Sequence, residues 1–206
     1  MSLIVGINFR ATSGFVTDGA NETYCLGDSD AYPITRGGVT FGWDGSYDLG
    51  RDRDAAIDRR LAGVNQKNNN GVKATFRLDL PATGNYTIRL ALGDTSNDQG
   101  DLRCEVLDDT TSKFTVADAD GTLQDHYDDA AGTDRTEAAW PGSNTAQTGV
   151  NFATTILKVK LGTSASSVGS SCITHLYVEQ EAVAATTTFQ NSQSTIIRTN
   201  YSVVGY

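Results

Sequence analysis

Four oxygen-bearing side chains, Asp94, Asn97, Asp98 and Asp101, fall within one glycine-containing stretch of the chain. Hard oxygen donors at such close spacing suit calcium, so this loop is the candidate metal site, although the same residues are also ordinary turn formers. Asp118-Ala119-Asp120-Gly121 resembles a fragment of a helix–loop–helix calcium loop, but Val116 stands where its first carboxylate belongs. A second patch alternates charge: Arg51-Asp52-Arg53-Asp54 and, further on, Asp58-Arg59-Arg60. Neighbouring opposite charges form structural ion pairs, yet an arginine fork also fits the carboxylate of an acidic sugar. Trp43 and Tyr47 precede this patch, and an aromatic ring there would stack on the apolar face of a pyranose. The candidate ligand-binding set is therefore Trp43, Tyr47, Arg51, Arg53 and Arg59.

Hydrolytic chemistry needs a nucleophile beside a base, two facing carboxylates or a bound metal. The chain has two histidines, His126 and His175, and no Gly-x-Ser-x-Gly elbow. His175 alternates with Ile173 and Tyr177, which assigns it to sheet packing or to a surface. No catalytic residue is predicted, no cofactor is required, and calcium is an optional ligand. Cys25, Cys104 and Cys172 lack the paired spacing of a zinc site, and Cys104 and Cys172 sit in strand-like patterns that predict buried thiols. Asn21, Asn85 and Asn200 match the glycosylation triplet, a pattern that arises often by chance.

The formal net charge of the 206 residues is −9. A field of that sign repels phosphate backbones and argues against nucleic-acid partners. Apolar residues make up 38% and occur in short clusters, enough for a core but with no run that would insert in a bilayer. The first residues lack the basic start and small-residue cleavage site of a secretory signal, so the protein is expected to be made without one.

The elements that would carry these groups are strands. Residues 3–9 place Leu3, Val5, Ile7 and Phe9 on one face, a first strand with one side buried. Residues 10–50 are rich in Gly, Asp, Ser and Thr and predict long loops between short strands. Ile57 and Leu61 allow a helical turn or two over 54–61, and Asn65–Gly71 predicts an exposed loop. Phe76, Leu78 and Leu80 share a buried face with Tyr86, Ile88, Leu90 and Leu92 across a hairpin turn at 81–85. A second hairpin spans 104–116, a long polar region follows over 117–149, and 156–161 with 172–178 read as closing strands. Many short strands and little helix predict an all-β, two-sheet antiparallel sandwich over 1–181, with an extended tail or assembly arm over 182–206.

The order Ile7-Asn8-Phe9, Gly38-Val39-Thr40-Phe41-Gly42-Trp43, Arg51-Asp52-Arg53, Asp58-Arg59-Arg60-Leu61, Phe76-Arg77-Leu78-Asp79-Leu80-Pro81, Gly84-Asn85-Tyr86 and Leu92-Gly93-Asp94 resembles a known module. It is similar to the galactose-binding-like, carbohydrate-binding β-sandwich found N-terminal to rhamnogalacturonan acetylesterases. The resemblance covers residues 4–180 and implies a jelly roll with sugar or calcium sites in loops at a sheet edge. The chain departs from it in lacking an esterase domain and in its polar insertion and tail. These features predict a non-catalytic structural or adhesive protein, foremost a phage virion component that decorates the capsid or joins the tail, with other virion subunits and glycans as partners. On that reading the protein is located in the virion and is an oligomer or assembly component. The alternative is an extracellular carbohydrate-binding module detached from a polysaccharide-active enzyme.

Overall fold

The computed structural model describes residues 4–13, 21–27, 29–45, 49–53, 58–67, 74–94, 96, 103–117, 126–136, 138–162 and 171–182. Its strands are, in chain order, β1 (Ile4–Arg10), β2 (Glu22–Leu26), β3 (Ile34–Arg36), β4 (Val39–Asp44), β5 (Leu49–Asp52), β6 (Gly63–Lys67), β7 (Ala74–Asp79) and β8 (Gly84–Gly93). They continue as β9 (Arg103–Asp108), β10 (Thr111–Ala117), β11 (His126–Asp128), β12 (Asp134–Thr136), β13 (Gln147–Phe152), β14 (Ile156–Leu161), β15 (Ser171–Ile173) and β16 (His175–Gln180). A 3-10 turn at Arg59–Leu61 and one short helix, α1 (Trp140–Ser143), are the helical pieces among the described residues. No described helix is long and apolar enough to cross a membrane.

The chain is an all-β jelly-roll sandwich. A front sheet runs β12-β11-β8-β16-β1-β2, with β13 added along the first half of β8. The back sheet runs β10-β9-β14-β7-β4-β3, and a small side sheet runs β15-β6-β5. Every strand pair is antiparallel except β1 with β2. The core lies between front and back sheets. Val5, Ile7 and Phe9 of β1, Ile88 and Leu90 of β8, and Leu176 and Val178 of β16 meet Phe76, Leu78, Leu157 and Val159 of the back sheet. Each such side chain, once buried, contributes about 1.5–3 kcal/mol.

The apolar alternation of β7 and β8 matches expectation, but the two strands do not pair as a hairpin. They belong to different sheets, and Pro81-Ala82-Thr83 carries the chain across the sandwich. Alternation records which side of a strand is buried, and facing strands in opposite sheets satisfy it as well as neighbours do. Tyr86 closes the crossing by donating its hydroxyl to the Ala82 carbonyl at 2.7 Å. The β9–β10 hairpin forms as predicted, turning at Asp109-Thr110 with Asp109 at a φ of 52°. The polar region over 117–149 is more than loop, because it holds β11, β12, α1 and the start of β13.

Two local expectations are corrected. β1 is buried on both faces, since its polar side, with Asn8 and Arg10, is covered as fully as its apolar side. Of the exposed loop expected over 65–71, residues 65–67 belong to β6, with Asn65 fully buried and donating to the Cys25 carbonyl at 3.2 Å, and 68–71 lie outside the described residues. Of the helix expected over 54–61, the turn at Arg59–Leu61 is present, and 54–57 lie outside the described residues. So do Asp118–Gly121 and all but the first residue of the predicted arm. Cys25, Cys104 and Cys172 are buried free thiols.

Candidate functional site

Strand alternation sends Arg89 and Ala91 of β8, and His175 and Tyr177 of β16, to the outer face of the front sheet. Register places Tyr177 beside Arg89 and His175 beside Ala91. Two short elements rise over this floor. One is the 3-10 turn, held to β1 by the buried Arg10, whose guanidinium donates to the Arg59 carbonyl at 2.6 Å. The Asp58 carboxylate caps this turn, accepting from the Arg60 backbone N–H at 2.8 Å and from its guanidinium at 2.9 and 2.7 Å. Burial alone would raise the Asp58 carboxyl, but the Arg60 donors outweigh it and hold it below the usual range.

The other element is α1. Pro141 sits in its first turn, where the missing N–H is not needed. Trp140 packs with Leu61, Ala91 and Tyr127 in a second apolar cluster on the outside of the front sheet. Behind α1, Asp129 accepts from the backbone N–H groups of Ala131, Thr133 and Thr145 at 2.9, 3.1 and 3.0 Å and from Arg135 at 3.1 Å. One carboxylate therefore ties the β11–β12 turn to the end of the α1 segment.

Floor and walls enclose a cleft of ≈ 390 Å³ lined by Arg60, Arg89, Trp140, Gly142, Asn144, His175 and Tyr177. The volume falls in the range of about 300–1,000 Å³ usual for small-ligand sites. Arg60 lies over the Trp140 ring at 4.9 Å, Trp140 meets His175 edge-on at 5.6 Å, and Arg89 lies over Tyr177 at 5.5 Å. The His175 Nε2 is 3.1 Å from a Glu22 carboxylate oxygen, which also accepts from Asn8 at 2.7 Å. A carboxylate accepts only, so Nε2 carries a proton toward Glu22 and Nδ1 is the ring nitrogen left over. Gly6 leaves the room for Glu22, because a Cβ there would collide with its carboxylate.

Three buried polar atoms without a hydrogen-bond partner belong to this lining: Trp140 Nε1, Asn144 Oδ1 and His175 Nδ1. Other atoms of the described residues, Asn8 Oδ1 and Arg103 Nε among them, also lack a partner, and these three are distinguished by sharing the lining of one cleft. Asn144 Nδ2 is committed to the Leu90 carbonyl at 2.9 Å, which fixes the amide with its oxygen unpaired. The trio is a donor at Trp140, an acceptor at Asn144 and an imidazole nitrogen at His175. A ligand rich in hydroxyls, each both donor and acceptor, suits that mixture.

Of the residues picked out in the sequence, those that are described do not line this cleft. Trp43 is a correction: it is 2% exposed and packs against Phe9 and Phe76 at 5.6 and 5.4 Å, so it offers no face to a sugar. Arg53 donates to Asp94 at 2.7 and 2.6 Å, and Asp94 also accepts from the Ser96 backbone N–H at 2.9 Å. One residue of the predicted ligand patch and one of the predicted metal loop thus form a partly buried ion pair, and Arg53 is stabilised in its charged form by that bond. Arg51 and Arg59 are exposed on β5 and on the 3-10 turn. Tyr47, Asn97, Asp98 and Asp101 lie outside the described residues. Among the described residues no three His, Cys, Asp or Glu converge as a metal site. Arg60 and His175 were considered in the sequence for ion pairing and packing. Trp140 and Asn144 were passed over within the polar region, where Trp140-Pro141-Gly142 was the available sign of a short ordered element.

No family model matches the sequence, and no curated protein matches it. Among solved structures, the chain resembles the plant receptor-like kinase ANX2, with a TM-score of 0.50 and 9% identity over 87% of this chain and 48% of that one. The ANXUR2 extracellular domain from Arabidopsis thaliana gives a TM-score of 0.50 and 11% identity over 89% of this chain and 49% of that one. The chain therefore spans about half the length of these two, and the likeness is one of fold. The CBM36-1 domain of a xylanase from the hindgut metagenome of Trinervitermes trinervoides aligns at a TM-score of 0.38 and 12% identity, over 70% of this chain and 99% of that domain.

Proposed function

We propose that this protein is a non-catalytic glycan-binding module and that the cleft between α1, the 3-10 turn and the front sheet is its binding site. The observation that carries this reading is the trio of unpaired polar atoms, Trp140 Nε1, Asn144 Oδ1 and His175 Nδ1, beside the aromatic rings of Trp140 and Tyr177. Sugars present this combination: hydroxyls that donate and accept around a ring with apolar C–H faces. The resemblance of the chain to the module of rhamnogalacturonan acetylesterases points the same way. Nothing in the lining pairs a nucleophile with a base, so the site holds its ligand without turning it over.

A glycan array followed by calorimetry tests the proposal. Trp140→Phe keeps the packing and removes the donor, and it should weaken the best array hit by about 2–12-fold, the worth of one hydrogen bond. An array with no hit, or a hit whose affinity ignores Trp140→Phe and Tyr177→Ala, removes the proposal. A role as an adhesive virion subunit adds a further expectation, that residues 182–206 act as an assembly arm. Light scattering on the full chain and on a chain ending at Glu181 checks it, and the same number of subunits for both speaks against the arm.

A further inference from the structure

We infer that the glycan held in this cleft carries a carboxylate, as a uronic acid does, and that Arg89 reads it; this rests on the glycan-binding reading above. The chain is acidic overall, with a net charge of −9, yet among the described residues its cleft is lined by two arginines and by no Asp or Glu. The two arginines are not equivalent. Arg60 already has its counter-charge, since Asp58 grips its guanidinium at 2.9 and 2.7 Å. Arg89 forms no ion pair among the described residues, and its contact is the Tyr177 ring at 5.5 Å.

The acidic groups on the same sheet face are engaged by other donors. Glu179 accepts from the Tyr177 hydroxyl at 3.0 Å. Glu181 accepts from Thr87 at 2.9 Å and from the Gly149 backbone N–H at 2.6 Å. Glu22 is held by Asn8 and His175 at 2.7 and 3.1 Å. Arg89 is half-buried and stands as the one cation of the cleft lining without a carboxylate. A planar guanidinium in that position fits a planar carboxylate through two parallel N–H donors. The orphan atoms of Trp140, Asn144 and His175 would take hydroxyls of the same sugar, which separates a sugar acid from a simple organic acid. A neutral sugar would satisfy the orphans and leave Arg89 uncompensated.

Calorimetry on the full chain with oligogalacturonides, oligoglucuronides and alginate oligosaccharides, each beside its methyl ester, isolates the carboxylate from the sugar. A neutral galacto-oligosaccharide and a sulfated galactan complete the panel. The free acid of at least one series should bind about tenfold or more tightly than its ester, the effect of one charge-assisted fork. Arg89→Gln, shown by its melting curve to be folded, should reduce that preference to about threefold or less, and Arg89→Lys should restore part of it. Raising the salt should weaken acid binding by the wild type and leave ester binding alone. Equal affinity for acid and ester, or a preference for neutral or sulfated sugar, overturns the carboxylate and leaves the glycan site standing. Binding of none of these sugars overturns both.

Discussion

Replacing Asp129 by Asn tests whether the cleft wall is held as the structure describes. Asp129 Oδ1 accepts from Ala131 and Thr133, and Oδ2 accepts from Thr145 and Arg135. An amide keeps the shape and can leave its oxygen facing the first pair. Its NH2 then faces the two donors of the second pair, which lose their acceptor and gain a repulsive neighbour. At about 1–1.5 kcal/mol for each stranded donor, the loss is about 2–3 kcal/mol. For a domain of this size that is about 4–12 °C in melting temperature. Burial would raise the Asp129 carboxyl, but the N–H groups of Thr145, Thr133 and Ala131 overcome it and hold the folded-state value below the ordinary one. A value depressed by folding contributes stability that is complete above the unfolded value of about 3.9 and is lost as pH falls through the folded value. Melting curves of wild type and Asp129→Asn should therefore lie furthest apart near neutral pH and converge below about pH 4. The freed Thr145 should also loosen Asn144, so sugar affinity falls with stability. Melting at the wild-type temperature at neutral pH, or a gap that stays constant into acid, would refute the anchoring role.

Trp43→Ala should destabilise the fold by about 3–5 kcal/mol, as expected for an aromatic ring lost from a core, and should leave sugar affinity of the folded protein unchanged; urea melts with calorimetry check both halves. The three thiols are buried, and burial pushes Cys25, Cys104 and Cys172 up from the ordinary thiol value, so a thiol-reactive dye at neutral pH should label the native protein far more slowly than the urea-unfolded chain. Rapid labelling of all three in the native protein would contradict the packing around β2, β9 and β15.

The strands legible in the sequence were those with a period-2 signature: β7, β8, β9 and β14 fall where it put them, whereas the run 172–178, read as one strand, is divided between β15 and β16 in different sheets, and β6, β11 and β12 fell in stretches read as loop. What alternation does not encode is the partner, which is why the β7–β8 connection read as a hairpin and is a crossing between sheets. Trp43 was legible as well, had spacing been weighed above chemistry: Phe41 and Trp43 are two apart and share a face, and Phe41 is fully buried. Trp43 stands out for the stacking its ring could offer beside the charged patch, and nearness in sequence does not say which face a ring takes. Arg53 with Asp94 shows the opposite limit. Both were singled out, but a bond between residues 41 apart in sequence leaves no local trace.

The cleft escaped the sequence for a related reason. Its lining comes from the 3-10 turn, β8, α1 and β16, separated segments that share only a place in the folded sheet. On β8 and β16 the outward positions alternate with core residues, so Arg89, His175 and Tyr177 each looked like the ordinary solvent side of a strand. What makes that side a site is a second layer: Trp140, Leu61 and Tyr127 cover Ala91 and build an apolar patch outside the core. A sheet face that only met water would have no need for a nearly buried tryptophan, a carboxylate anchor beneath it and three polar atoms left without partners. The proposed function rests on what is added to the outer face of the sandwich, and the front sheet supplies the floor on which Arg89, His175 and Tyr177 are held in register.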